Sequence, residues 1–226
     1  MKIAVFGTGT VGPAVAGALA KLGHDVVIGT RDPQATLART EAGPMGGVPF
    51  AQWHASNSGI PLTTFADAAA GSDIIVNATN GSGSLAALTA AGEENLAGKV
   101  IMDIANPLDF SQGFPPSLNP VNTDSLAEQL QRAFPDARVV KTLNTMNASV
   151  MVDPASVAGG DHSVFVSGND ADAKTLVSGL LADLGHRDII DLGDITTARG
   201  TEMLLPVWLR LWGALGNADF NFKIAR

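Results

Sequence analysis

The sequence contains no cysteine and no tyrosine in its 226 residues. Without cysteine there is no disulfide, no thiol nucleophile and no Cys-ligated metal. Without tyrosine the chain is not a dehydrogenase that donates a proton from a Tyr hydroxyl paired with lysine. Histidine is sparse, and His24, His54, His162 and His186 follow no metal-ligand spacing, so no metal is expected. No G-x-S-x-G occurs, which leaves a serine hydrolase of that type unsupported. Basic residues number 14 against 22 acidic ones, for a net charge of −8, and they form no cluster. That balance excludes a nucleic-acid interface and an anionic membrane surface. The most apolar late run, Leu204 to Leu215, includes Arg210 and is too short to span a bilayer. The opening MKIAVFG reads as a core strand with no signal-peptide layout, so a cytoplasmic protein is expected.

Apolar residues make up 46% of the chain, enough for a sizeable core. Met1 to Asp32 organises it. Lys2 to Phe6 is an apolar strand, and Gly7, Gly9 and Gly12 follow as G-x-G-x-x-G. Val11, Ala14, Val15, Ala18, Leu19 and Leu22 recur at helical spacing, and Pro13 falls in the first turn, where its missing N–H costs nothing. Asp25 to Ile28 is a second strand. A glycine motif between a strand and a helix, with a second strand at the right distance, points to a dinucleotide site. Gly7 permits the tight turn, Gly9 leaves room for the pyrophosphate, and Gly12 lets helix and strand pack closely. The helix N-terminus then offers free N–H groups to the phosphates.

The end of the second strand bears on the choice of cofactor. An NAD site places an acid there for the ribose 2′-hydroxyl. Here Gly29, Thr30 and Arg31 occupy the place. Arginine pairs with a 2′-phosphate in bidentate fashion, and threonine donates a hydroxyl, so NADP(H) is expected.

The rest alternates. Asp32 opens a short helix, Pro33 to Arg39. Ala42 to Ile60 has no steady period and reads as an irregular insertion, either a lid or a surface loop. Strands are expected at 61–63, 73–77, 99–103, 138–141, 163–166 and 188–192. Helices fall between them, one of them capped by Thr123 or Asp124, and a last helix runs from Ala198 to Leu215. The expected fold is α/β, a Rossmann-type doubly wound and mostly parallel sheet with a small C-terminal helical cap. One domain is expected over 1–226, with a nucleotide-binding core at 1–142 and an extension at 143–226 that forms the acceptor pocket and a dimer contact. Ligands sit at the carboxyl ends of such strands, which selects Asn77, Ala78 and Thr79, then Ala105 and Asn106, then the stretch around Asn144. Asn77, Asn80, Asn106 and Asn144 line such a site without adding charge, unless each bonds its own turn.

GTGTVG, VVIGTRDP, DIANP, KTLNTMNASVM and VFVSGND together resemble the F420-dependent NADP oxidoreductase family, which includes the NADPH:coenzyme F420 reductases. The reductase domain of the STEAP metalloreductases is similar. The resemblance implies that Gly7, Thr8, Gly9, Thr10, Val11 and Gly12 wrap the pyrophosphate, and that Thr30 and Arg31 hold the 2′-phosphate. It implies that Asn77, Ala78, Thr79, Ala105 and Asn106 contact the ribose and nicotinamide. Asn80, Asn144, Thr145 and Arg199 are then expected on the side of the second substrate. The implied activity is hydride transfer between NADP(H) and a second redox cofactor, coenzyme F420 or a flavin.

Such a transfer needs two stacked rings and no acid or base from the protein, so no side chain is expected to be indispensable to the chemistry. A carbonyl, imine or ferric-chelate reductase is the competing enzyme. For a carbonyl or imine it needs a proton donor, with Lys141 and His162 the candidates and Arg199 a possible carboxylate clamp. For Lys141 the plainer reading is a surface or structural lysine, and for His162 a turn residue. A non-catalytic NADP-sensing module is the third reading. Met203, Leu204, Val207, Trp208, Leu211 and Trp212 form an apolar stripe that is either core or a homodimer face. The other partner expected is a small-molecule redox acceptor.

Overall fold

The computed structural model describes residues 1–41 and 48–226. Residues 42–47 of the expected irregular insertion lie outside them. One sheet runs through the molecule in the order β10-β9-β8-β5-β4-β1-β2-β3. Its strands are β1 (Lys2–Phe6), β2 (Asp25–Thr30), β3 (Leu62–Thr64), β4 (Ile74–Asn77), β5 (Val100–Asp103), β8 (Arg138–Thr142), β9 (Ser163–Gly168) and β10 (Asp188–Asp191). All neighbours are parallel except β8 and β9. Two further short strands, β6 (Leu108–Asp109) and β7 (Ser117–Leu118), pair in an antiparallel ribbon within the stretch that leaves β5. The sheet continues past residue 142, so the C-terminal extension supplies two strands as well as helices.

The strands are apolar on both faces because helices cover both. In β1 the side chains alternate. Ile3 and Val5 pack with Val15 and Leu19 of α1 (Val11–Lys21), while Ala4 and Phe6 pack on the other side with Phe65, Leu88 and Leu130. That second layer is formed by α4 (Phe65–Ala70), α5 (Gly81–Ala91) and α7 (Leu126–Ala133). The helix α9 (Ala171–Asp183) lies with α1, through Val177, Leu180 and Leu181. The chain order turns back across the sheet at β1, which leaves a crevice at the carboxyl ends of β1 and β4.

Several local expectations are corrected. Phe50 to Ser56 of the supposed irregular insertion is a helix, α3, following α2 (Pro33–Leu37). Phe50 is buried beneath it, and Trp53 packs against the same core. Its apolar residues sit one turn apart but span under two turns, too short to show a period. The cap of α7 is Ser125, which accepts from Glu128 N, rather than Thr123 or Asp124. The helix between β4 and β5 runs from Gly81 to Ala91 and is followed by the single turn α6 (Glu93–Leu96). After β8 comes the short α8 (Ala148–Val152). The last helix divides into α10 (Ala198–Met203) and α11 (Leu205–Leu215), with Pro206 in the first turn of the second. In α1 the buried face is Gly12, Pro13, Val15, Ala16 and Leu19, while Leu22 is exposed.

The glycine turn is held by close backbone contact. A Cβ on Gly12 would lie 2.0 Å from the Gly7 carbonyl oxygen. Gly12→Ala is therefore expected to push α1 away from β1 and to lower the unfolding free energy by about 1–3 kcal/mol, measured by urea denaturation.

Candidate NADP(H) site

At the phosphate end, Gly7 has φ of 122°, and a Cβ there would lie 2.3 Å from Ala78 O. The turn thus presses against the turn after β4. A Cβ on Gly9 would meet nothing within 4 Å, so the loop opens outward at that residue. The helices α2, α4, α5, α7 and α9 are capped by the side chains of Asp32, Thr64, Asn80, Ser125 and Asp170. At α1 the capping position is Thr10, and its side chain makes no such bond. The first-turn N–H groups, those of Val11 and Gly12 among them, take no bond from the capping side chain, the arrangement by which a helix N-terminus can receive an anion.

At the end of β2, Thr30 is buried and its hydroxyl shares a 2.9 Å hydrogen bond with that of Thr36 on α2. Arg31 is exposed and makes no hydrogen bond or ion pair among the described residues. Asp32 is occupied by its cap, accepting from Ala35 N at 2.9 Å. A second guanidinium arrives from the far end of α2. Arg39 donates to Thr8 Oγ1 at 3.0 Å and to Thr36 Oγ1 at 3.4 Å. Sequence reading missed Thr36 and Arg39. The signal was their place just downstream of Arg31, Thr36 on the short helix that starts where β2 ends and Arg39 just past it.

At the other end of the crevice, the side chains of the asparagines are largely committed. Asn77 is fully buried; it donates to Asp103 Oδ1 at 2.8 Å and Ser84 Oγ at 3.0 Å, and accepts from the Thr79 hydroxyl. Ala78 and Thr79 are half-buried beside it, and Asn80 is exposed as the cap of α5. Asn106 and Asn144 exchange bonds: Asn106 Nδ2 donates to Asn144 O, and Asn144 Nδ2 donates to Asn106 Oδ1 and to Thr201 O. Asn144 and Thr145 are both buried, and Leu143 before them holds a left-handed φ of 59°. Arg199 is engaged within the protein: it grips Glu128 through Nε and a terminal nitrogen. That pairing holds the Glu128 carboxyl below its usual range, with help from Ser125 against the cost of burial.

Residues 2–107 match the family described as NADP oxidoreductase, coenzyme F420-dependent. A crystal structure from Arthrobacter sp. FB24, assigned as an F420-dependent NADP reductase, is 72% identical over the whole of both chains, with a TM-score of 0.96. The chain belongs to the F420-dependent NADP oxidoreductase family. It is 27% identical over 213 residues to the F420-dependent NADP reductase of Methanocaldococcus jannaschii, covering 93% of this chain and 92% of that protein. It is also 26% identical over 211 residues to the metalloreductase STEAP3 of Rattus norvegicus, of which it spans 38% of the length and which takes in 92% of this chain. Among the described residues no helix is long and apolar enough to cross a membrane. The protein is an NADP-dependent oxidoreductase that binds NADP(H).

In this family member the two candidate proton donors are both occupied. His162 is buried; its Nε2 bonds Pro154 O, and its Nδ1 accepts from Asn221 Nδ2. Lys141 is fully buried, and its ammonium meets three oxygens: Asp103 Oδ2 and Glu202 Oε1, each at 2.8 Å, and Ala105 O. Burial alone pushes an ammonium down, but the two carboxylates outweigh it and hold Lys141 above its usual value. The plainer reading put the lysine on the surface or in a structural place; it is interior, inside a buried ion-paired cluster. Lys141→Met would leave two carboxylates buried without their cation, and is expected to cost about 3–5 kcal/mol of stability in urea denaturation.

Proposed function

We propose that the chain transfers a hydride between NADP(H) and a second flat redox cofactor, a deazaflavin such as coenzyme F420 or a flavin. The carrying observation is the commitment of every candidate proton donor. With Lys141 saturated by three acceptors and His162 bonded at both nitrogens, the crevice suits ring-to-ring hydride transfer, which asks the protein for orientation rather than a proton. A carbonyl or imine reductase lacks its donor on the same grounds. The name of the Methanocaldococcus relative points the same way.

In this reading the pyrophosphate rests on Gly7 to Gly12 and the α1 N-terminus. The 2′-phosphate meets Thr8, Thr30, Arg31, Thr36 and Arg39, and the nicotinamide lies by Ala78, Thr79, Ala105 and Asn106. Asn77 serves by holding Asp103 and Thr79. Asn80 and the Asn144–Thr145 turn border the acceptor, and Arg199 acts through Glu128 by fixing α10 to α7.

A single panel tests the reading: NADPH or NADH with F420, FMN, FAD and ferric chelates, followed by nucleotide oxidation. Oxidation of NADPH by F420 or a flavin is the expected result; turnover with ferric chelates alone would move the function to a metalloreductase. Arg31→Ala and Arg39→Ala are each expected to weaken NADPH binding by about 1.5–3 kcal/mol, roughly tenfold to a hundredfold, with NADH binding unchanged.

We also propose a homodimer through α11. Leu205 is the one fully buried residue of that helix, while Val207 and Leu215 are about half exposed, and Phe114, which packs edge-on against Trp212, is 66% exposed. Such a face is apolar enough to need a cover. Sedimentation is expected to show a dimer that Val207→Glu dissociates; a wild-type monomer at micromolar concentration would end the idea.

A further inference from the structure

The ion cluster at Lys141 lies where three adjacent strands stop. Asn77 of β4 pairs in register with Asp103 of β5, and Asp103 with Lys141 of β8. Each is on the same face of the sheet as Ile75, Ile101 and Val139, the face covered by α7. From that row the bonds run in both directions. Toward the cofactor crevice, Asp103 Oδ1 accepts from Asn77 Nδ2 and from Ala105 N, and Lys141 donates to Ala105 O. The backbone N–H and carbonyl of Ala105, which belong to two successive peptide units, are thus both tied down. Toward the outer layer, Glu202 of α10 binds Lys141 through Oε1 and also accepts from Leu126 N at 2.8 Å and Ala127 N at 3.2 Å, the first N–H groups of α7.

Stability alone does not explain this arrangement. Desolvating three charged groups consumes most of what their attraction returns, and a well-packed apolar trio serves as well for holding a fold. What an apolar trio lacks is direction. One ammonium shared by a strand-end carboxylate, a turn carbonyl and a helix carboxylate fixes that carbonyl relative to both the strand and the helix on the far side.

We propose that Lys141 and Glu202 are positioning residues for hydride transfer: by fixing both ends of Ala105 and drawing α10 onto the turn after β5, they set the depth at which the nicotinamide sits beneath its acceptor. The inference rests on the reading above that Ala105 and Asn106 flank the nicotinamide. Asn144 completes the device, since it bonds Asn106 on one side and Thr201, the neighbour of Glu202, on the other. Neither Lys141 nor Glu202 needs to touch the cofactor. Hydride transfer is steep in donor–acceptor distance, so a small relaxation of this turn registers in rate before it registers in affinity.

Glu202→Gln tests the proposal in the full chain. A glutamine there keeps the shape but offers only one oxygen to Lys141 and the two α7 N–H groups. Glu202→Asp keeps the charge and shortens the reach, and serves as the second variant if the first does not fold. The measurements are NADPH dissociation constant by nucleotide fluorescence, hydride-transfer rate to the acceptor found in the panel, the isotope effect with NADPH deuterated at C4, and thermal midpoint. Expected are an NADPH dissociation constant within about threefold of wild type, a transfer rate lowered roughly tenfold to a hundredfold, and a larger isotope effect, with Glu202→Asp between the two. A folded variant whose transfer rate stays within about twofold of wild type overturns the inference. So does a variant whose rate and NADPH affinity fall by the same factor, since that is the mark of a loosened fold. A wild-type chain that binds NADPH but transfers its hydride to none of the acceptors overturns the underlying reading, and this inference with it.

Discussion

The ammonium of Lys141 is held by three oxygens from three places: the end of β5, the turn that follows it, and α10. Much of the cofactor end depends on that one contact. A charge with no exposed surface needs a full set of partners, and each partner fixes the element that carries it. Asp103 in turn gathers Asn77 and the Ala105 N–H, and Glu202 accepts from the first two N–H groups of α7. Three strand ends, one turn and two helices are therefore set relative to one another by a connected run of polar bonds inside an otherwise apolar interior.

The phosphate end uses the opposite means. There the precision comes from missing atoms. Gly7 and Gly12 let backbone approach backbone at distances no side chain would tolerate, so β1, α1 and the turn after β4 close on one another. Around them stand hydroxyls and guanidinium groups: Thr8, Thr30, Thr36, Arg31 and Arg39. One end of the site is thus rigid by close packing and rimmed with positive charge. The other is rigid by buried hydrogen bonds and offers no proton. That division matches the needs of a nucleotide whose phosphates are gripped and whose ring is only aimed.

Much of this was legible in order along the chain. The eight main strands, the glycine turn and the α1 helix follow from apolar runs, period and turn residues, which are local signals. What failed did so for local reasons too. Seven residues of α3 are too few to show a helical period. Ser125 lay hidden among Thr123 and Asp124, each an acceptable cap by type. In the run from Ala198 to Leu215 the overlooked signal was Pro206, which suits the first turn of a new helix and so marks the break at Leu204.

By itself the sequence determined the class of fold and the preference for NADP, and pointed to Gly7–Gly12 for the pyrophosphate, because strand period, glycine spacing and an arginine at the end of β2 act within about thirty residues of one another. Only the tertiary structure decided which polar residues are free to meet a ligand. Asn77, Asp103, Lys141 and Glu202 are separated by up to 125 positions, and nothing in their local sequence says that they meet. Strand register aligns the first three, and the return of α10 supplies the fourth. Arg39 reaches Thr8 and Arg199 reaches Glu128 for the same reason. Pairing of charges is a property of distance in space, and that distance is set by how strands and helices pack.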